Sequence, residues 1–397
     1  MSSESGGVLI VGAGPTGLLT ALGLSRLGVP VTVVEAEAEI VPSPRAMVYH
    51  WSALEFLDRL GVLDDARDQG FTKQDYRYLR LDTGQQLDWS LDVIEAETPY
   101  AYNVHLGQEK LSAIVLSHLE RQPNAEVVWS SPVDAVTQDR EGVSVLAEGP
   151  DGPTELRGAW CVAADGARST VRRQLGLAFE GMSWPERFVA TNIRYDFHQH
   201  GFAIANMISD TVHGAILSKI DMTNLWRWTY CEDPSLAEDG ILDRLRPNLE
   251  ATVPDLGEFE LERAQPYSMH QRAAERLRVG KILLAGDAAH ATNPTGGLGL
   301  TSGLFDAEAL IPILAEVMDG GPEEPLDTWA EERRRKFVDM ASPAASENKR
   351  MLYSELDPKR RDEDFERMRA GTQDPDALRK RLMFLEELRS DAVLAAR

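Results

Sequence analysis

A chain of 397 residues, 43% of them apolar and 26% charged, has room for two or three globular domains and contains no low-complexity tract or solenoid repeat. Its formal net charge of −23 at pH 7 argues against nucleic acid and against an anionic membrane as partners, because both demand a positive field. Two isolated cysteines, Cys161 and Cys231, argue against a disulfide scaffold and fit a reduced, cytoplasmic protein.

In chain order, "GVLIVGAGPTGLLTALGLSRLGVPVTVVEA" reads as strand, glycine turn, helix and strand. Val8 to Val11 is a short apolar strand, Leu19, Leu22 and Leu27 carry helical spacing, and Val31 to Val34 is β-branched and ends at Glu35. Val8 to Ser25 is uncharged and nearly long enough to span a bilayer. Its four glycines and one proline, with no basic n-region and no cleavage site, mark a buried β-turn-α unit, and no targeting signal is expected. "SPRAMVYHW" is a proline-marked loop, followed by an amphipathic helix from about Ser52 to Leu60 that stops at Gly61.

Residues 75–105 alternate as strands around a Thr-Gly turn, and "QEKLSAIVLSHLER" returns to helix. "AEVVWS", "GVSVLAEG" and "AWCVAADG" are strands, residues 186–232 are largely β, and the pattern after residue 303 is helical. This order predicts an α/β, Rossmann-like nucleotide-binding domain (residues 1–75, 106–182 and 270–310). A mainly β substrate-side domain is inserted (76–105 and 183–269), and a helical C-terminal region follows (311–397). The charged C-terminal helices either serve a homodimer or cover the first domain; both readings stay open.

Gly12, Gly14 and Gly17, with Pro15 and Thr16 between them, form G-x-G-x-x-G at a strand-to-helix turn. That spacing permits a tight turn, close backbone approach to a pyrophosphate and close helix–strand packing, with the helix dipole facing the phosphates. Glu35, followed by Ala36, stands where a carboxylate accepts from ribose hydroxyls. Far downstream, "KILLAGDAAHATNPTGGLGL" is a buried strand ending at Gly286-Asp287. Small alanines follow, then a loop through Pro294, Gly296, Gly297 and Gly299 into a helix beginning near Leu300. Such a helix N-terminus stabilises negative charge on a redox ring. A third cluster, "CVAADGARSTVRRQLG", puts Asp165 and Gly166 after a strand. Arg168 and Arg172 would then share one helical face, able to meet NAD(P)H phosphates or simply to be solvated.

The segments "GAGPTGL", "AADGARSTVRR" and "LLAGDAAHATNPTGGLGL", in this order over roughly residues 7–310, resemble the fingerprints of the single-component FAD-dependent aromatic hydroxylases, the p-hydroxybenzoate hydroxylase-like family. The resemblance implies a glutathione reductase-type FAD domain with Gly12, Gly14, Gly17 and Glu35 on the ADP half. It gives Arg45 and Gln108 flavin-side roles and Asp165 and Gly166 contacts to FAD and NAD(P)H. Asp287 falls on the ribityl chain, and Pro294, Gly297, Gly299, Leu300 and Thr301 surround the isoalloxazine. Leu298 and Thr301 depart from the polar residue and the asparagine that many members carry. The implied reaction is hydroxylation of a phenol or hydroxypyridine with NAD(P)H and O2 through a flavin C4a-hydroperoxide. The alternative is a related FAD oxidoreductase acting on an alkene or isoprenoid. Arg227, between Trp226 and Trp228 in "NLWRWTY", should face away from both tryptophans. Arg227, His213, Tyr195 and Pro294 are the candidate catalytic residues, whereas His198 and His200 fit a solvated turn and no metal motif is present.

Overall fold

The computed structural model describes residues 6–42 and 46–395. The N-terminal strand Val8–Val11 lies inside a six-stranded sheet, flanked by Val31–Val34 on one side and Trp160–Ala163 on the other. Ala125–Val128 and Ile282–Leu284 extend the sheet outward, all five running parallel, and Arg278–Val279 adds an antiparallel edge. These strands are near-continuous Val, Ile and Leu because helices cover both faces of a parallel sheet. A three-stranded antiparallel meander, residues 133–158, connects back into it.

The helix of the glycine turn, Pro15–Arg26, packs on Leu298–Met318, where Gly23 admits the Ile311 side chain. Leu298–Met318 is long and apolar enough to cross a bilayer. It is instead a core helix, held between Pro15–Arg26 and the C-terminal helix Glu324–Lys336.

The second large sheet has eight strands and draws on residues 75–90, 179–232 and 260–291. Its spine is the antiparallel pair Phe179–Arg194 and Glu260–Ala274, bonded from Phe179 opposite Ala274 to Arg194 opposite Glu260. At roughly 3.3 Å per residue such strands reach about 50 Å, from the nucleotide-domain side to the far end of the second sheet. The helix Ile241–Thr252 covers one face of this sheet, packing on Val189, Ile193, Trp226, Trp228 and Tyr230. The other face meets the C-terminal helices through Phe188, Met269, Tyr353 and Phe365. A small antiparallel sheet of Val48–Tyr49, Asn103–His105 and Phe71–Lys73 joins the two halves.

Candidate functional site

The three glycine-bearing motifs leave one sheet edge together. In register, Val11 pairs with Ala163 and Ala163 with Leu284, so the chain emerges at Gly12, Ala164 and Ala285 side by side. This is the carboxyl edge beside the point where strand order reverses, where open α/β sheets bind ligands. Gly12 has φ +106°, and a Cβ there would strike the Ala164 carbonyl, whereas the Cβ position of Gly14 opens onto empty space. A side chain at Gly14 would fill the place where a pyrophosphate approaches. Pro15 and Gly17 are buried in the first turn of the helix, and Thr16 lies against Gly286 and Gly303. The first and second glycine sites therefore touch.

Glu35 spans the loop: Oε2 accepts the Ala13 amide at 2.5 Å and Oε1 the Glu37 amide at 3.0 Å, with Ala36 exposed between. Gly286 donates its amide to Asp306 at 2.9 Å and has φ +60°; Asp287 follows it, half-buried. Pro294 and Gly297 shape the loop ahead of Leu298–Met318, closed by a Gly297 amide to Pro294 carbonyl bond of 3.0 Å. The helix begins two residues before Leu300, and Gly299 and Leu300 lie in its first turn. Thr301 returns its hydroxyl to the Gly297 carbonyl at 2.9 Å, and Leu298 is buried. Neither this helix nor Pro15–Arg26 has a side-chain N-cap, so their leading amides are available to a ligand. Gln108 starts Gln108–Leu119 with its amide on the Ala46 carbonyl. Arg45 lies outside the described residues.

Asp165 caps the short helix Thr170–Gln174, its Oδ2 accepting the Thr170 and Val171 amides at 2.7 and 3.2 Å, while Gly166 makes the turn at φ +77°. The Oδ1 atom is buried without a partner among the described residues, and burial raises the carboxyl pKa. The paired-arginine expectation is corrected here. Arg168 precedes the helix and is exposed, but Arg172 is 5% exposed and points inward. Its guanidinium donates to the Ala288 and Ala167 carbonyls, both at 2.8 Å, and sits over the Phe179 ring at 3.7 Å. Arg172 clamps the Gly286 turn and is not available to a docking cosubstrate.

On the second sheet, Trp226 and Trp228 belong to the core under Ile241–Thr252 and do not line a ring pocket. Arg227 faces the other way, with its guanidinium on Asn192 Oδ1 at 3.2 Å. Burial lowers its pKa to about 10, against support from Tyr267 and from Glu109 beside Gln108, so it stays charged at neutral pH on the sheet face opposite Trp226 and Trp228.

Tyr195 and His213 do not reach the cleft. The Tyr195 hydroxyl bonds His200 at 2.7 Å and its ring packs on Phe197, while His213 Nδ1 bonds Asn248 of Ile241–Thr252 at 3.1 Å. Both follow the sheet face that this helix covers. His198 packs edge-on against Trp226, and no metal-binding group of acidic, His or Cys residues forms among the described residues.

The cleft's polar wall comes from residues outside the sequence expectations. His50 donates Nε2–H to the Gly296 carbonyl at 2.9 Å, directly on the glycine loop. His105 donates Nδ1–H to the Lys219 carbonyl at 2.9 Å. Burial lowers their pKa values to about 4 and about 3; both rings are neutral. Asn103, Lys73 and Tyr76 complete this wall on and beside the small sheet, whereas Tyr49, opposite Val104, turns into the core of the first domain. The short strands Val48–Tyr49 and Phe71–Lys73 show no alternation to read, which is why their side chains carry no sequence signal.

Residues 6–342 match the family described as the FAD binding domain. The chain belongs to the single-component FAD-dependent aromatic hydroxylases. It is 43% identical to 6-hydroxy-3-succinoylpyridine 3-monooxygenase HspB of Pseudomonas putida, over 96% of this chain and 98% of the relative. It is 40% identical to para-nitrophenol 4-monooxygenase of a Pseudomonas species, over 98% and 97%. The crystal structure of p-nitrophenol 4-monooxygenase PnpA from Pseudomonas putida superposes with a TM-score of 0.95 at 39% identity, covering 98% of this chain and 100% of that one. A ternary complex of aklavinone-11 hydroxylase with FAD and aklavinone follows at TM-score 0.80 and 28% identity, covering 90% and 70%. The hydroxylase is thus a flavin-dependent aromatic monooxygenase, and the cradle at Gly12–Gly17 and Gly286–Thr301 fits FAD.

Proposed function

We propose that this enzyme hydroxylates a phenol or hydroxypyridine in the cytoplasm, with electrons from NAD(P)H and one oxygen atom from O2. The observation that carries the reading is the shared wall at Gly296. There His50 joins the glycine loop to a buried polar and aromatic face on the small sheet. The relatives' names, one a hydroxypyridine monooxygenase and one a nitrophenol monooxygenase, support the same substrate class.

Bound FAD would supply the activated oxygen after its reduction. Gly12, Gly14, Pro15, Thr16, Gly17, Glu35 and Ala36 would hold its ADP half, and Gln108, Asp165, Gly166, Gly286 and Asp287 its middle. Pro294, Gly297, Gly299, Leu300 and Thr301 would hold the ring edge. The Leu298–Met318 amides would favour negative charge on that edge, and the closed cleft would keep water from the reacting atoms.

Arg168, Arg272 and Asp287 all act on His270, for both arginines lower its pKa, after burial, and Asp287 raises it, so the four lie in one neighbourhood. In a chain of net charge −23, that group suits an anionic cosubstrate arriving at the surface. The test is NADH and NADPH oxidation by the FAD-loaded enzyme across phenols and hydroxypyridines, with products weighed by mass spectrometry. One ring that speeds oxidation and gains one oxygen atom is the expected result. Stimulated oxidation yielding only hydrogen peroxide from every ring would defeat the reading.

A further inference from the structure

The buried face of the small sheet holds more hydrogen-bonding capacity than it uses. Pairing sets His105 opposite Phe71 and Asn103 opposite Lys73, so alternation puts His105, Asn103 and Lys73 on one face. His50 follows the edge strand Val48–Tyr49. Asn103 is satisfied: Oδ1 accepts the Trp51 amide at 3.0 Å, and the amide nitrogen donates to the Tyr76 hydroxyl.

Three atoms are not satisfied. Lys73 Nζ, His105 Nε2 and His50 Nδ1 are buried with no hydrogen-bond partner among the described residues, in side chains 4%, 0% and 8% exposed. Leaving such an atom without a partner is costly, and native folds leave few of them. The charge of Lys73 is felt at both imidazoles, so the three face one neighbourhood. Because each histidine spends its N–H on a carbonyl, the free nitrogens are lone pairs. A wall of two lone pairs and an amine complements a hydroxyl group.

Resting on the aromatic hydroxylase reading, we propose that Lys73 is the base for the substrate's ring hydroxyl. The O–H bond breaks, its electron pair stays on the ring oxygen, and the proton joins the Nζ lone pair. The ammonium so formed then holds the oxyanion, while His50 and His105 orient hydroxyl and amine. The oxyanion enriches the ortho and para ring carbons in electrons.

Two further observations agree. Burial holds the lysine pKa well below its usual value, with Asp75 the opposing charge, which favours the neutral amine that the proton transfer needs. Nζ also lies 3.3 Å from the centroid of the Tyr76 ring, whose face stabilises the charge once the proton arrives. Tyr195 and His213, candidate catalytic residues from the sequence, lie on the far face of the second sheet, under Ile241–Thr252.

The test uses the oxidised FAD-loaded enzyme without NAD(P)H, and 4-nitrophenol and 2-hydroxypyridine as probes whose spectra report ionisation. Bound to the wild type, a probe should ionise at least about one pH unit below its free value, about tenfold in the equilibrium. In Lys73→Met, which replaces an unpartnered amine with an apolar chain of similar length, that shift should vanish and kcat should fall more than KM rises. In Lys73→Arg, which offers charge but no lone pair, only a probe that arrives ionised should bind as an oxyanion, and turnover should approach the wild type only above the probe's free pKa. Unchanged ionisation and turnover in Lys73→Met overturn the inference alone. Failure of the wild type to bind either probe overturns the phenol and hydroxypyridine reading, and the inference with it.

Discussion

Arg227 shows how one residue on a strand can be separated from its neighbours in function. Trp226 and Trp228 are core, but alternation turns Arg227 to the opposite face of the sheet, 6% exposed, with Asn192 among its partners. Arg227→Met should lower kcat/KM for the aromatic substrate about 10- to 100-fold, or roughly 1.4–2.8 kcal/mol, with a smaller loss of stability from the hydrogen bonds that Asn192 gives up. A large loss of stability with intact kcat/KM would assign the residue to the fold instead. Arg168 is exposed and lies outside the buried lattice that fixes Arg172. Arg168→Ala should raise KM for NAD(P)H several-fold at low salt, and less at high salt where the charge is screened; KM for the ring, measured in the same assays, should not move.

At the scale of elements, the flavin-side turn is held from behind by the C-terminal helices. Asp306, in Leu298–Met318, accepts from the Gly286 amide and His290 through Oδ2 and from Arg333 of Glu324–Lys336 through Oδ1, at 2.9, 2.8 and 2.9 Å. Burial alone would raise its pKa, but His290 and Arg333 hold it down to about 2, below the ordinary 3.8. A depressed carboxyl stabilises the fold above its unfolded pKa, and that stability drains as pH falls from about 4 towards 2, by about 2 kcal/mol. Asp306→Asn should lose that acid dependence, melt lower at neutral pH and bind FAD more weakly by equilibrium dialysis. Wild-type FAD affinity in the variant would separate this network from the site.

The glycine loop and the Gly286-Asp287 turn were legible because strand, turn and helix periodicity are local there, and because their motifs sit at strand ends. Asp306 and Arg333 were not, since a helical aspartate and one arginine of "EERRRKF" look solvated until a distant helix buries them. Nor were His50, Lys73 and His105, which share a face only after three short strands from separate regions pair. The inward turn of Arg172 likewise depends on packing against Phe179 and Ala288 that no spacing encodes.

Taken whole, the molecule is tied across its cleft in three places. The strand pair Phe179–Arg194 and Glu260–Ala274 runs between the halves, the small sheet bridges them, and the C-terminal helices grip both. The last grip centres on Arg389, 0% exposed, which donates to Glu308 of Leu298–Met318 at 2.5 Å, to Glu55 of the helix Trp51–Arg59 at 2.8 Å and to Glu386 at 3.0 Å. Nearby, Phe365, Met368 and Leu378 of the same C-terminal region pack with Tyr78 and Trp89 of the second sheet. A structure so cross-tied should unfold as one unit: tryptophan fluorescence, which draws on Trp89, Trp184, Trp226 and Trp228 of the second sheet and on Trp160 and Trp329 of the first core, and flavin release should report the same midpoint. Among the described residues, Arg389→Met leaves Glu308 buried with the half-exposed Arg59 as its one remaining cation, and breaking a buried pair in this way costs about 3–5 kcal/mol. Flavin release should then move to lower temperature than the tryptophan transition, because the loosened grip is on the helix that carries the Gly297–Thr301 amides. If both midpoints fall together, the two halves share a single cooperative unit even without Arg389, and the strand pair and the small sheet are sufficient to couple them.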